Sequence, residues 1–335
     1  MEFSDAVDDA LVQAMAHDPR ILLLGEDIAA FRMPLFTRFG PDRVRNAPIS
    51  EAGFLGAAAA AAMAGLRPVV DLWMVDFITV AMDALVNHAA KTETFSGGRW
   101  KVPLVVRAPC GAGYGDGGQH GQSLWGWLAH IPGLSVVVPS CPKDAGRLML
   151  TALRHKGPVI FLEHKLLSSR LLDYLGTGGR RNLKFDIPAA GATGQVPRIW
   201  TPIPLGTASV CRKGKDITLI SLGVGVHRCL EAAKILDTQG ISSCVIDLRS
   251  VAPLDKEAVL ESVAETGRML VVDEDYQRFG LSGELAALVL EAGLSVSFGR
   301  VCTEDTIPYS REEEREVLPN AERIVGLAVR LVQTV

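Results

Sequence analysis

Two short stretches of the 335-residue chain carry residue types that can move a proton. The first is Ile49-Ser50-Glu51-Ala52-Gly53-Phe54-Leu55-Gly56, which runs into an Ala-rich helical pattern. Ser50 can cap that helix, and Glu51 in its first turn suits the helix dipole. That accounts for an exposed glutamate. The neighbours are nearly all apolar, however, and a carboxyl in such surroundings is poorly solvated. Its pKa then rises and it can share a proton with a ligand. Both readings stand on these residues alone. The second stretch is Gly115-Asp116-Gly117-Gly118-Gln119-His120-Gly121-Gln122, a Gly-rich loop with one histidine after a predicted strand. Glycines let backbone approach a ligand closely, and an imidazole near neutrality can donate a proton. A solvated histidine on a surface turn accounts for the same residues.

Other patterns carry less. Gly115-Asp116-Gly117 imitates the start of a diphosphate–Mg²⁺ motif, but the asparagine needed about one βα unit later is missing near Cys141–Ala145. Gly223-Val224-Gly225 joins a predicted strand to a predicted helix. His227 and Arg228 stand where a dinucleotide fingerprint needs its third glycine, so a tight turn is the better reading.

The elements that must position these residues form two β/α series. Strands are predicted at residues 21–24, 69–72, 104–107, 135–138 and 159–162, mostly apolar runs of the kind buried on both faces. Helices are predicted at 51–64, 77–92 and 143–154. A Gly/Pro-rich stretch at 173–203 breaks the rhythm and reads as an interdomain connection. The second series has strands at 217–222, 243–247, 269–273 and 295–302, with helices at 226–238, 256–265 and 282–291. The expectation is an α/β fold with a mostly parallel sheet in residues 1–172 and a second α/β domain in 204–335.

Composition excludes several classes. The chain is 48% apolar and 21% charged, with 34 Lys+Arg against 38 Asp+Glu and a net charge of -4. No basic excess points to nucleic acid or anionic lipid as a partner. Cys110, Cys141, Cys211, Cys229, Cys244 and Cys302 are scattered, without zinc or disulfide-framework spacing. Reduced thiols and a cytoplasmic protein are expected. The N-terminus lacks a signal-peptide pattern, and the uncharged run 52–66 is too short to span a membrane.

At this point the residues resemble a known family. GED at 25–27, RVRNAPISEAGFLGAA at 43–58, GLRPVVDL at 65–72, VDF at 75–77, AAKT at 89–92, QHGQ at 119–122, HIPGLSVVVPS at 130–140 and PVIFLEHKLL at 158–167 carry the resemblance. GKDITLISLG, VIDLRSVAPLD and TGRMLVVDED extend it through the C-terminal half. Together they are similar to the β subunit of thiamine-diphosphate-dependent 2-oxo acid dehydrogenase E1 components, the family of the pyruvate, branched-chain 2-oxo acid and acetoin dehydrogenases. The resemblance implies a transketolase-like pyrimidine-binding domain followed by a transketolase C-terminal-type domain. It implies that this chain holds the pyrimidine half of thiamine diphosphate. The diphosphate and Mg²⁺ then sit on a separate α subunit, in an α2β2 heterotetramer that passes an acyl group to lipoamide on an E2 acyltransferase.

Residue by residue, Glu51 matches the glutamate that hydrogen-bonds N1′ of the aminopyrimidine and favours the imino tautomer that deprotonates the thiazolium C2. Phe77 matches the aromatic stacked on the pyrimidine. Ile49 and Trp73 match pocket-lining positions, and Glu26 a glutamate near the reacting side. His120 matches the active-site histidine of a QHSQ motif, implied to orient the substrate carboxylate and assist proton transfer. Some members bind K⁺ through backbone carbonyls, by position those of Leu104, Ala152, His155 and Gly157.

Three departures qualify this. Gly121 replaces the motif's serine, which is expected to loosen the loop around His120. The segment after Asp27 is short, with AAFRMPLFTRFG in place of a Gly-rich stretch, so the wall beside Glu26 differs. Residues 182–200 also diverge. The first two departures motivate an alternative, a non-oxidative thiamine-diphosphate decarboxylase or carboligase. A non-catalytic scaffold subunit is a further alternative.

Overall fold

The apolar runs form strands because only a sheet covered on both faces can bury them. The computed structural model describes residues 1–168 and 185–333. The boundary expected at residue 172, and residues 173–184 of the expected connection, lie outside the described residues. Strands in the N-terminal half are β1 (Ile21–Glu26), β2 (Val44–Ala47), β3 (Arg67–Asp71), β4 (Val105–Cys110), β5 (Ser135–Val137) and β6 (Val159–His164). Those in the C-terminal half are β7 (Ser209–Arg212), β8 (Ile217–Ser221), β9 (Ser243–Asp247), β10 (Ser250–Ala252), β11 (Arg268–Tyr276) and β12 (Ser297–Thr303). One sheet runs β10-β5-β6-β4-β3-β1-β2, parallel except for β10. The other runs β12-β11-β8-β9-β7, parallel except for β7. Every residue of β6, β8 and β9 is buried.

Helices cover the sheets. In the N-terminal half they are α1 (Phe3–His17), α2 (Ile28–Phe31), α3 (Met33–Phe39), α4 (Glu51–Met63), α5 (Thr92–Phe95), α6 (Trp125–Ala129) and α7 (Pro142–Arg154). They continue as α8 (Ala189–Ala192), α9 (Val224–Asp237), α10 (Lys256–Thr266), α11 (Leu281–Glu291), α12 (Arg311–Val317) and α13 (Ala321–Gln333). Phe3, Val7, Ala10 and Leu11 give α1 an inward stripe at helical spacing, packed with α7. No helix among the described residues is long and apolar enough to cross a membrane. All six cysteines are free thiols.

The elements differ from expectation in several places. The helix expected over 77–92 is a 3₁₀ segment, Val75–Ala81, followed by a π-helical turn, Asp83–Ala89. Val75, Ile78 and Ala81 are buried at three-residue spacing, which a 3₁₀ helix places on one face. Strand β2 was not expected, because Arg45 and Asn46 on an exposed edge hide it. Edge strand β7, exposed at Val210, was missed for the same reason. Strand β10 leaves the C-terminal half to pair with β5 of the first sheet, so the two halves share a sheet edge. The described part of the connection lies on α1 and α7. Trp200 packs against Gly146, where a Cβ would stand 2.5 Å from the indole, and donates Nε1–H to Asp9 at 2.7 Å.

Buried polar groups fasten the halves together. Ser140 donates to Asp247 at 2.5 Å, and the Arg249 guanidinium reaches Asp144 at 2.7 Å. Burial pushes the Asp247 carboxyl up to about 6, against the bonds from Ser140 and the Arg249 N–H. An unfolded aspartate titrates near ~4. Between those values the folded chain keeps a proton that the unfolded chain has lost, so stability falls as pH rises through the window. Asp247→Asn preserves the shape and is expected to flatten that fall, a difference of up to about 3 kcal/mol. Urea denaturation of both proteins at pH 4 to 7 measures it. Parallel pH profiles would refute the assignment.

Candidate active site

The candidate residues gather at the carboxyl ends of the parallel strands, where open α/β sheets leave a crevice. Glu26 ends β1 and pairs in register with Ala47 at the end of β2. The chain then turns through Ile49 and enters α4 at Glu51. This brings the two carboxylates near each other. The Glu26 carboxyl is pushed up by burial, then by the charges of Asp27 and Glu51. Trp73 follows the end of β3 and shares a cleft with Glu26, Ile28, Phe31 and Leu72. Phe31 meets Trp73 edge-on at 4.4 Å, so the short segment after Asp27 builds an aromatic wall.

Two expectations about this corner need correction. The Ser50 side chain makes no capping hydrogen bond. Glu51 is half-buried rather than enclosed, because its apolar neighbours face outward: Ile49 is 77% exposed, and Ala52 and Gly53 are exposed. Apolar composition alone does not say whether a side chain is covered by its own chain.

The second group centres on His120. Its ring lies edge-on to Phe77, with centroids 5.8 Å apart and planes at 88°. Nδ1 faces Asp116 Oδ2 at 3.4 Å. That approach is not a hydrogen bond, and Nδ1 is buried without a hydrogen-bond partner among the described residues. The loop is closed rather than loose. Gly111 N donates to Gln122 O at 2.8 Å, and both the Tyr114 hydroxyl and Lys165 Nζ donate to His120 O. Gly121 sits where the loop folds on itself: a Cβ there would stand 2.9 Å from Gly117 O and 3.2 Å from Ala112 Cβ. Glycine at 121 therefore permits a tight closure, which corrects the expectation of a loosened loop.

The carbonyls suggested for K⁺ are partly engaged. Leu104 O accepts from Val159 N, Ala152 O from His155 N, and His155 O from Arg67 Nη1 at 3.1 Å. A cation there would share three of them and stand near a guanidinium. These four residues are apart from the cleft.

Sequence reasoning gave no role to several groups that hold the site. Arg107, fully buried in β4, bonds Asp8 at 2.9 Å and Glu163 at 3.0 Å. Arg32 joins Asp8 at 3.3 Å and Asp71 at 3.1 Å. This network anchors the residue next to Phe31 and so the aromatic wall. Removing one partner of such a buried set costs about 3–5 kcal/mol. Lys165, also fully buried, donates to Gly111 O at 3.2 Å and lies 5.0 Å from the Tyr114 ring centroid. Burial holds its ammonium below the usual lysine value, against the charges of Asp76, Glu274 and Asp116. Asp76 accepts from Gln122 Nε2 at 2.9 Å, and burial pushes its carboxyl up. The available signal was a charge inside an apolar run, as in VVRAPC and IFLEHK.

Comparison with known proteins decides the family. Residues 1–169 match the transketolase pyrimidine-binding domain and residues 206–324 the transketolase C-terminal domain. The chain is 37% identical to the β subunit of acetoin:2,6-dichlorophenolindophenol oxidoreductase of Bacillus subtilis, covering 99% of this chain and 97% of that one. It is 36% identical to the 2-oxoisovalerate dehydrogenase β subunit of the same species, covering 97% and 96%. It is also 36% identical to a mitochondrial pyruvate dehydrogenase E1 β subunit of Oryza sativa, covering 98% and 86%. The chain belongs to the transketolase-like family of E1 β subunits. A split-gene transketolase, solved as an inactive β4 tetramer, shares the fold with a TM-score of 0.79 at 21% identity, over 99% of this chain and 98% of that one.

Within this family of E1 β subunits, the Gly121 contacts give a direct test. Gly121→Ser must displace the Gly117 carbonyl, and overpacking of this kind costs about 1–3 kcal/mol. The expected outcome is a lower urea midpoint with shifted His120 ring resonances. An unchanged midpoint and unchanged resonances would show that the loop accommodates a side chain freely.

Proposed function

We propose that this chain supplies the pyrimidine half of a thiamine diphosphate site in a heteromeric E1 that cleaves a 2-oxo acid or acetoin and passes the acyl group to a lipoyl-bearing E2. The observation that carries this reading is the half-open corner where Glu51 stands beside Glu26, on the helix packed against the segment bearing Phe77. The relatives named for acetoin, pyruvate and 2-oxoisovalerate support the same class of substrate.

The residues present fit the group. A carboxyl at a helix start, two aromatic rings and an exposed isoleucine offer a hydrogen-bond partner and flat apolar walls to a planar, amine-bearing heterocycle. Thiamine diphosphate, when bound, supplies the electron sink that carbon–carbon cleavage needs. Glu51 holds a proton at the ring nitrogen facing it, and Phe77 and Trp73 fix the ring plane. Burial is completed by an α subunit laid over Ile49 and Ala52, which strips water from the carboxyl and strengthens proton sharing. The same α subunit holds the diphosphate and Mg²⁺. His120, held through its backbone, exchanges a proton with substrate through its ring. The reading without lipoamide drew on a loosened loop and on the short segment after Asp27; the loop is pinned, which removes the first of these grounds. With six free thiols, we place the complex in the cytoplasm.

The test is co-purification from the source with mass spectrometry of stoichiometric partners, followed by assay with pyruvate, branched-chain 2-oxo acids and acetoin. In the assembled complex, Glu51→Gln is expected to lower kcat by about a hundredfold to ten-thousandfold, with assembly intact by size exclusion. An unchanged rate would sink the mechanism. Recovery of this chain alone, unable to bind thiamine diphosphate with any partner, would sink the function.

A further inference from the structure

We infer that Glu314, on the C-terminal half, is a positioning residue that sets the place of His120 through Tyr114. The inference rests on the proposed function only in assigning His120 to the reaction.

Glu314 lies in α12 and is 1% exposed. Its Oε1 accepts from Gly113 N at 2.8 Å, and its Oε2 accepts from Gly115 N at 3.1 Å. Arg311 Nη1 reaches the same Oε2 at 3.1 Å. Gly113 and Gly115 have φ of +100° and +74°, a left-handed conformation that only glycine adopts without strain. Backbone N–H groups turned together in this way form a concavity for an anion. The anion here is a side chain from the other half of the protein.

The residue between those glycines is Tyr114, which is 2% exposed. Its hydroxyl donates to His120 O, the carbonyl that Lys165 also holds. Glu314 thus grips a peptide N–H on each side of Tyr114, and Tyr114 holds the backbone of His120. The same stretch of the C-terminal half continues the contact. Gln119 Nε2 donates to the Tyr309 hydroxyl, and the Tyr309 ring lies where a Cβ on Gly117 would be 2.8 Å away. Thr306 meets Gly118 in the same way at 3.0 Å. The loop that carries the histidine is therefore shaped from outside its own domain.

Two variants of the full chain test this. Glu314→Gln keeps the volume but replaces one acceptor oxygen with an amide NH₂ facing an N–H. Amide exchange at Gly113 and Gly115 is expected to quicken about tenfold to a hundredfold, and the His120 ring resonances, assigned with His120→Asn, are expected to move. Tyr114→Phe removes only the hydroxyl. It is expected to move the same resonances while leaving Gly113 and Gly115 protected. A purely structural glutamate would alter stability without this pairing of effects. Unchanged exchange in Glu314→Gln overturns the inference. So do unmoved His120 resonances in either variant. If Glu314→Gln does not fold, Tyr114→Phe alone still decides whether Tyr114 sets His120. In the assembled enzyme kcat should fall in both variants with KM nearly constant. Failure of the wild-type assembly to turn over any 2-oxo acid or acetoin would count against the proposed function, while the exchange and resonance results would still judge Glu314.

Discussion

A carboxylate removed from water must find its hydrogen bonds in the protein, and for the acids at the end of β11 those partners lie in the opposite half. Glu274, at the end of β11, accepts from Ala112 N at 2.9 Å and pairs with His164 Nε2 at 2.8 Å. Burial alone would raise its pKa, but His164 and the Ala112 N–H outweigh it and hold the group ionised. Because Leu166 N donates to His164 Nδ1, the hydrogen of the neutral imidazole belongs on Nε2, aimed at Glu274. Asp273 accepts from Trp125 Nε1 at 2.9 Å and Asp275 from Gly126 N at 2.7 Å. Three consecutive acids thus fix the loop at 111–112 and the start of α6. Relative movement of the halves would strand them.

The same physics builds the opposite wall of the cleft. Arg107 and Arg32 are buried among Asp8, Asp71 and Glu163, drawn from a helix and the two strands that flank β4. The arginines cannot shift without leaving carboxylates unpaired, so Phe31 is held against Trp73 by electrostatics two steps away. The catalytic candidates themselves are less constrained. Glu51 and His120 keep part of their surface open, and Ile49 projects from the protein. Rigid buried charge surrounds a site that faces outward. This arrangement suits a surface completed by a second chain.

Much of this was legible in order along the chain. The apolar runs named most of the strands to within a few residues, because a strand buried on both faces tolerates little else. Edge strands β2 and β7 were not legible, since an edge exposes one side and reads as polar loop. Nor was the break at 75–89 legible, since apolar residues at three- and four-residue spacing fit an α-helix as well as a 3₁₀ segment followed by a π turn. Glu51, Phe77, Trp73, Glu26 and His120 could be picked out by type and motif. Glu314 could not, because a charged residue in an acidic helix looks solvated until its neighbours are known.

Sequence by itself determined the class of most elements, the candidate acid and histidine, and the family resemblance, because these depend on local pattern and residue type. Tertiary structure alone decided that Glu51 is half-open, that Gly121 closes its loop, and that a glutamate nearly two hundred residues away grips Gly113 and Gly115. Burial and hydrogen-bond pairing are properties of what the fold brings together, and no local pattern encodes them.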